Sequence, residues 1–223
     1  MKNFCVTLFF CLFLYSVKAQ TYFVEVSSAK GKFTMMLFDT TPLHRDNFLK
    51  AIKTGLFKGN EFNRVIKNFV SQAGELDETI LDREQLHPDV PIKRVAAEIK
   101  PSLFHKKGAL GAGRNDNPKK ESYLNQFYIV QGKIKTDDEL NAIEAKTGRP
   151  FSKEQRQVYK TIGGTPQLDG DYTIFGEVVS GLNVAEAINA VATNPNDLPL
   201  EPVKFTLRIL TKNQYKKATT FKD

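Results

Sequence analysis

The chain has 223 residues, with 32 Lys and Arg against 25 Asp and Glu, and its formal net charge is +7. Hydrophobic residues make up 41% of the sequence and charged residues 26%. This composition excludes a disordered chain, a collagen-like repeat and a polytopic membrane protein, and the length suits one large domain. The basic excess is modest and is not interleaved with aromatic residues, so we expect no nucleic-acid binding.

Residues 1–19 have the pattern of a secretory signal peptide. A short basic start precedes a 14-residue apolar run, and Ala19 offers a small residue for cleavage. The run is shorter than the roughly 20 residues that a membrane-spanning helix needs. The alternatives are a buried N-terminal helix or an uncleaved anchor. Cleavage after Ala19 would leave 204 residues with a net charge of +5, and it would remove both Cys5 and Cys11. We therefore predict an exported, periplasmic protein without disulfides or thiolate metal sites.

The first half of the remaining chain predicts short strands around one helix. Alternating apolar residues and turn signals predict strands over 21–26, 32–38, 62–70, 108–112 and 126–130. Thr41-Pro42 opens a helix over 42–54, with Thr41 as the capping residue. Residues 75–107 carry many charges and three prolines, and they predict mostly loop.

The second half contains a segment unlike its surroundings, residues 133–166, which we call the insertion. Thr136-x-x-Glu139 and Ser152-x-x-Gln155 are capping boxes, and each precedes a helix-like stretch. Beyond the insertion the pattern predicts a strand, a helix capped by Asn183, a last strand and a polar lysine-rich tail, at 173–179, 183–191, 203–210 and 212–223. Many short strands with few helices favour one mainly β domain, a barrel or a sandwich.

General motifs for catalysis and metal binding are absent from the sequence. The three histidines, His44, His87 and His105, lack metal-ligand spacing and are typical of ordinary surface or loop positions. Asp169-Gly170-Asp171 favours a tight turn over a calcium loop, because the other calcium-ligand positions are missing. There is no nucleophile elbow and no phosphate-binding glycine loop.

Segment 61–74 combines an arginine, a phenylalanine and a glutamine, Arg64, Phe69 and Gln72. A bend near Lys67-Asn68 could bring the three onto one surface, since side chains alternate between the faces of a strand. By itself the pattern fits a surface arginine beside a core phenylalanine more simply.

Four blocks of the sequence follow one another in a recognisable order. The blocks are Phe62-x-Arg64-Val65-Ile66-x-x-Phe69-Val70-x-Gln72-x-Gly74, Gly108-Ala109-Leu110-Gly111-Ala112-Gly113-Arg114, Asn125-Gln126-Phe127-Tyr128-Ile129 and Leu168-Asp169-Gly170-x-Tyr172-Thr173-Ile174-Phe175-Gly176-Glu177-Val178. Together they resemble the cyclophilin-type peptidyl-prolyl cis-trans isomerases of the exported bacterial kind. The resemblance covers most of residues 22–211, and the insertion does not match compact members.

The resemblance implies a closed, eight-stranded antiparallel barrel, with the helices at 42–54 and 183–191 over its open ends. It implies rotation about X–Pro peptide bonds in proline-containing polypeptides, to assist the folding of exported proteins. This reaction needs no cofactor and no metal. We also expect a monomer that is not stably inserted in a membrane once the leader is removed.

The resemblance also implies the site. Arg64 would be the catalytic arginine, acting with Phe69 and Gln72. The remaining substrate-binding positions are those of the proline pocket, a polar group for the substrate backbone and the neighbouring groove: Val70, Tyr128, Leu168, Tyr172, Gln126, Gly113 and Arg114. Gln167 stands where a tryptophan favours cyclosporin binding, so we expect weak sensitivity to that drug.

Two questions stay open at the level of the sequence. The barrel could bind Pro-containing segments without catalysing their isomerisation, although the presence of Arg64, Phe69 and Gln72 together favours the enzyme. The insertion lies between the strand of Tyr128 and the loop of Leu168, so it could shape the groove edge or bind a partner. It could equally be a passive helical hairpin.

Overall fold

The computed structural model describes residues 21–57 and 59–220, with side chains as far as residue 216. The predicted leader, residues 1–19, lies outside this part of the chain. Within it, every helix is too short or too polar to cross a bilayer.

Eight strands form a closed antiparallel barrel, which confirms the predicted fold class. Around the barrel the strands follow the order β1-β2-β7-β5-β6-β4-β3-β8. Their bounds are β1 Tyr22–Ser28, β2 Gly31–Leu37, β3 Glu61–Ile66, β4 Val70–Gly74, β5 Ala109–Ala112, β6 Gln126–Val130, β7 Ile174–Ser180 and β8 Val203–Leu210. The described helices are α1 Pro42–Lys53, α2 Asp77–Leu86, α3 Asp137–Thr147, α4 Lys153–Thr161, α5 Leu182–Asn189 and α6 Lys212–Thr220.

Helices α1 and α5 lie at opposite ends of the barrel. Leu37, at the end of β2, pairs with Gly176 near the start of β7, while Ser180 at the end of β7 pairs with Thr34. Because α1 follows β2 and α5 follows β7, the two helices leave the barrel at opposite ends. Each buries one face in the barrel core, α1 through Phe48, Leu49 and Ala51 and α5 through Ala185 and Ile188. The two predicted cap helices are therefore present.

Phe127 on β6 lies at the centre of the core. Its side chain is 1% exposed, and its ring packs edge-on against four other phenylalanines from α1, the following loop, β3 and β8: Phe48, Phe57, Phe62 and Phe205. Ring centroids lie 5.2–6.3 Å apart, the range in which aromatic pairs attract. Phe127 therefore joins the cap helix α1 to strands β3 and β8 in the barrel core.

Three predicted elements differ from the structure. Segment 62–70 forms two strands, since a turn at Lys67-Asn68 ends β3 and Asn68 adopts φ of 61° there. Residues 75–107 are mostly loop, as predicted, but they also contain the unpredicted helix α2 over Asp77–Leu86, with Ile80 as its only buried residue. The polar tail contains α6, whose Tyr215 ring stacks on Phe23 at 3.9 Å between centroids. Both helices have weak apolar patterns and depend on tertiary contacts, which sequence periodicity does not report.

Two predicted helix caps differ from the structure in different ways. Thr41 stands at the N-cap position of α1, as predicted, but it makes no side-chain cap bond, and its hydroxyl donates instead to the Phe38 carbonyl. The Glu98 carboxylate, 55 residues away from Leu43 in sequence, accepts the backbone N–H groups of Leu43 and His44. The predicted cap Asn183 is wrong, because α5 begins at Leu182, after Gly181. A distant carboxylate can therefore replace a local cap at a helix N-terminus.

We expect the stability of the protein to fall between pH 7.5 and pH 5.5 because of His44. Burial lowers the pKa of His44 from its ordinary value of 6.5, and the hydrogen bond to Glu98 offsets this only in part. Above pH 6.5 the ring is neutral in both states. Below it the unfolded chain gains a proton that the folded protein resists, so stability declines. Urea midpoints at the two pH values should differ more for the wild type than for His44→Gln. An equal change of midpoint in both proteins would contradict His44 as the cause.

The insertion folds as a pair of capped helices, α3 and α4. Both predicted capping boxes are complete: Thr136 with Glu139, and Ser152 with Gln155. Gly148 ends α3 in the left-handed region at φ of 67°. The two ends of the insertion meet, since Lys133 and Gly164 form a β-bridge. It therefore leaves and rejoins the barrel wall at one place.

Candidate active site

A row of residues crosses four neighbouring strands on the outside of the barrel. Arg64 on β3 pairs with Gln72 on β4, Gln72 pairs with Tyr128 on β6, and Tyr128 pairs with Gly111 on β5. Directly paired residues in a sheet point to the same face, so the first three side chains share one surface. The predicted joining of Arg64 and Gln72 on one surface agrees with this register.

Arg64 points outward because of a local irregularity in β3. Strict alternation would place Arg64 on the same face as Phe62, which is 1% exposed in the core. The register between β3 and β4 shifts between Phe62 and Arg64, so one extra residue, Asn63, turns the following side chain to the other face. The Arg64 side chain is 45% exposed, and its guanidinium lies 3.5 Å from the Asp197 carboxylate.

Beside Arg64 lies a second apolar cluster, separate from the barrel core. Its buried members are Val70, Ala109, Tyr128, Val130 and Ile174, and its partly buried members include Phe69, Leu168 and Tyr172. All five predicted proline-pocket residues, Phe69, Val70, Tyr128, Leu168 and Tyr172, therefore belong to one cluster. Partly buried aromatic and aliphatic side chains on a buried apolar floor suit the ring of a proline.

Tyr128 forms the buried floor of this cluster, and contacts with Gly111 and His105 hold its side chain in place. Its side chain is 4% exposed, its ring lies directly over Gly111, and its hydroxyl is 2.8 Å from Nε2 of His105. Burial raises the pKa of Tyr128 well above its ordinary value, so it stays a neutral phenol. A Cβ on Gly111 would lie 2.2 Å from the tyrosine ring, so this position requires glycine.

Gln126 faces the groove with its donors already used. Its amide nitrogen donates to the Glu75 carbonyl at 2.8 Å and to the Asp77 carboxylate at 2.6 Å. The side chain is 5% exposed and its Oε1 occupies the space next to Gly113. In this arrangement Gln126 has only its Oε1 left, as a hydrogen-bond acceptor. The amide beside Arg64 is that of Gln72, which pairs directly with Arg64 in the sheet.

Gly113→Ala should move Gln126 and change peptide binding. A Cβ at position 113 would lie 1.8 Å from Oε1 of Gln126, so the flexible glutamine side chain must leave its bonds to Glu75 and Asp77. Its amide donors would then face the groove, and we expect KM for an X–Pro peptide to change by about two- to fivefold, a change of under about 1 kcal/mol for one neutral hydrogen bond. A peptide titration checks this result. The double variant Gly113→Ala/Gln126→Ala is the control, and an equal effect in both would contradict the role of Gln126.

Arg114 packs on Tyr172 of the apolar cluster. Its guanidinium lies 4.7 Å from the centre of the Tyr172 ring, and Nε donates to the Asp171 carbonyl at 2.7 Å. The side chain is 9% exposed. Arg114 therefore holds Tyr172 in place, a contact that the family resemblance did not predict, and its place in the groove lining stays a prediction.

Sequence reasoning missed His105 and Asp169. The sequence indicates an ordinary loop or surface histidine at position 105, yet the His105 side chain is completely buried, with Nδ1 2.8 Å from Asp169 and Nε2 against Tyr128. His44 is also buried, while His87 is exposed as expected. The two partners of His105 lie 64 and 23 residues away in sequence, so spacing alone gives no signal for this contact.

Two concavities on the described surface lie away from Arg64 and the apolar cluster. They have volumes of about 510 and 770 Å³ and share the lining residues Leu56, Ile92, Lys93, Arg94 and Leu124. Neither is lined by Arg64 or by the apolar cluster. Among the described residues, no group of three or more His, Cys, Asp or Glu side chains is arranged to hold a metal ion.

Comparison with known proteins decides the family. The family model described as cyclophilin type peptidyl-prolyl cis-trans isomerase/CLD matches residues 23–207. The chain belongs to the cyclophilin family. The predicted enzyme class, peptidyl-prolyl isomerase, is thereby confirmed, and so is the family resemblance read from the four sequence blocks.

Individual relatives agree with this assignment. A Staphylococcus aureus (strain USA300) protein named for the same isomerase activity is 31% identical over 181 residues, which are 81% of this chain and 87% of the relative. A peptidyl-prolyl cis-trans isomerase of Schizosaccharomyces pombe is 29% identical over 182 residues, 81% of this chain and 94% of the relative.

A solved structure shares the fold. The crystal structure of a cyclophilin-type isomerase from Cryptosporidium parvum aligns with a TM-score of 0.61 at 18% identity, over 86% of this chain and 99% of the other. The same protein crystallised in the presence of the dipeptide Ala-Pro gives a TM-score of 0.58 at 19% identity.

Proposed function

We propose that this cyclophilin accelerates cis–trans rotation about X–Pro bonds and so assists the folding of exported proteins. The observation that carries the proposal is the row of Arg64, Gln72 and Tyr128 beside an outer apolar cluster. It offers a guanidinium, an amide and a proline-sized apolar floor on one face.

The chemistry requires no nucleophile, because no covalent bond is broken. An X–Pro bond has cis and trans forms within about 0.5–1 kcal/mol, separated by a barrier of about 18–20 kcal/mol that reflects lost amide resonance. Uncatalysed exchange takes about 10–100 s. The site must therefore bind the twisted amide better than either planar form.

Arg64 suits the twisted state. As the amide twists, the prolyl nitrogen regains a lone pair and becomes a hydrogen-bond acceptor. The Arg64 guanidinium is always charged and presents several donors, and its side chain is half exposed at the edge of the cluster. Its 3.5 Å ion pair with Asp197 joins two exposed side chains, so Arg64 can exchange this partner for a peptide.

Arg64 supplies only part of the acceleration. A ten-thousandfold rate gain needs about 5.5 kcal/mol, whereas one charge-assisted hydrogen bond contributes about 1.5–3 kcal/mol. Holding the proline ring on Phe69, Tyr128 and Leu168 while the preceding carbonyl swings supplies the remainder. These residues fix one side of the rotating bond.

Export rests on the sequence of residues 1–19, with its basic start, its apolar run and Ala19. Cell fractionation with mass spectrometry of the N-terminus tests it. A periplasmic protein that begins at Gln20 supports export, and a cytoplasmic protein that retains Met1 contradicts it.

NMR exchange spectroscopy on an X–Pro peptide tests catalysis with residues 20–223. We expect exchange cross-peaks at enzyme concentrations far below the peptide concentration. Peptide shifts on binding without any exchange enhancement would show the alternative, a non-catalytic module for Pro-containing segments.

A further inference from the structure

The segment of residues 168–172, which we call the pocket loop, is held by the insertion at two points. The loop carries Leu168 and Tyr172 of the apolar cluster. On one side the Tyr159 hydroxyl of α4 donates to Oδ2 of Asp169 at 2.7 Å. On the other side Nη2 of Arg149 donates to Oδ2 of Asp171 at 2.7 Å. Both contacts reach the loop between its two pocket residues.

Tyr159 is the buried anchor of the insertion. Its side chain is completely buried, and its ring packs edge-on against Phe104 of the barrel side and Phe151 of the insertion, at 5.6 and 5.7 Å between centroids. Burial raises the pKa of the Tyr159 phenol, so the group stays a hydrogen-bond donor. A buried tyrosine that donates to a carboxylate makes a strong, directed bond.

From Asp169 the contact continues to the pocket floor. Oδ1 of Asp169 accepts the backbone N–H of His105 at 2.9 Å. The same oxygen lies 2.8 Å from Nδ1 of the His105 ring. Because a carboxylate only accepts, Nδ1 donates to Asp169, and Nε2 is hydrogen-bonded to the Tyr128 hydroxyl at 2.8 Å. An unbroken chain of hydrogen bonds therefore joins α4 to the floor under the proline site.

The Arg149 contact fixes the other half of the loop. Arg149 and Lys120 lie on the two oxygens of Asp171, and their hydrogen bonds lower its pKa to about 2. A Cβ on Gly170 would lie 2.9 Å from Nη1 of Arg149, so the guanidinium packs directly on the loop backbone. The backbone of Gly170 adopts φ of 76°, which suits glycine at the turn.

We propose that the insertion is a clamp that positions the proline pocket, with Tyr159 and Arg149 as positioning residues that act through Asp169 and Asp171. This role rests on the proposed function of the same site. Among the interpretations that the sequence left open, it is the one in which the insertion shapes the groove edge, and a passive hairpin would need neither contact. Loosening the clamp should weaken binding of the proline ring in the ground state and the transition state alike, which raises KM and leaves kcat nearly unchanged.

Two variants and two matched controls test the clamp. Tyr159→Phe removes one hydroxyl, and Arg149→Met removes one surface guanidinium from a side chain that is 34% exposed. Tyr123→Phe is the control for the first, since Tyr123 is 2% exposed and its hydroxyl has no partner among the described residues. Lys160→Met is the control for the second, since Lys160 pairs with Asp137 inside the insertion.

KM and kcat come from NMR exchange on an Ala-Pro-containing peptide, and Kd for the same peptide comes from titration. We expect KM and Kd to rise about three- to tenfold in Tyr159→Phe and Arg149→Met, with kcat within twofold, and to stay within 1.5-fold in both controls. Unchanged KM and Kd in both clamp variants would overturn the proposal, as would equal changes in variants and controls. Because Kd needs no catalysis, a wild type that binds without isomerising contradicts the proposed function and still tests the clamp.

Discussion

Arg64→Ala should lower kcat by about 10- to 100-fold while changing KM by less than about threefold. In the proposed mechanism the guanidinium meets the prolyl nitrogen only when the amide is twisted, so its loss should remove about 1.5–3 kcal/mol from the transition state alone. The side chain is half exposed and lies on the outer face, so the barrel core is not disturbed. NMR exchange at saturating peptide measures kcat directly.

Arg208→Ala is the control for this variant. Arg208 is also an exposed strand arginine, with 57% of its side chain exposed, and it pairs with Glu25 on the β1 side of β8. Both variants lose one positive charge and one surface ion pair, so a difference in kcat isolates the position. Equal kcat values in Arg64→Ala and the wild type would contradict the proposed catalytic role of Arg64. Arg64→Lys should restore only part of the rate, because a lysine lacks the planar set of donors.

Short sequence patterns predicted correctly those features that depend on residues close together in the chain. The capping boxes at Thr136 and Ser152 each depend on residues three positions apart, and both are present. Apolar alternation likewise located most strands of the barrel. The barrel closure and the identity of the pocket residues came from the family resemblance, since no periodicity reports which strand lies beside which.

What could not be predicted depends on contacts between distant residues. The register shift at Asn63 decides that Arg64 faces outward, and alternation counted along β3 would place it in the core. Glu98 replaces Thr41 at the start of α1, and His105 meets Asp169 across 64 residues. Glu98 and His105 are polar and largely buried, and the partner of each is fixed by the folded arrangement of the chain rather than by sequence spacing.

Phe127→Ala should destabilise the protein by about 3–5 kcal/mol, which is a large part of the total stability of a typical domain. The ring is almost completely buried at the centre of the core, in edge contact with four phenylalanines. Its removal leaves a cavity that β6 cannot close, because both β4 and β5 pair with that strand. Urea denaturation of the variant measures the change in the free energy of unfolding.

Phe69→Ala is the matched comparison, since it removes the same side chain from the other face of the barrel wall. Phe69 is only partly buried and packs on the outer cluster with Val70 and Tyr128. We expect it to cost about 1 kcal/mol or less in stability and to raise KM about tenfold or more, because the proline ring loses one wall of its pocket. The core variant should lose activity only as it unfolds, whereas the pocket variant should be folded and bind poorly. Two results would contradict the proposed division into an inner core and an outer proline pocket. One is a Phe127→Ala variant with the stability of the wild type. The other is a Phe69→Ala variant that loses as much stability as Phe127→Ala.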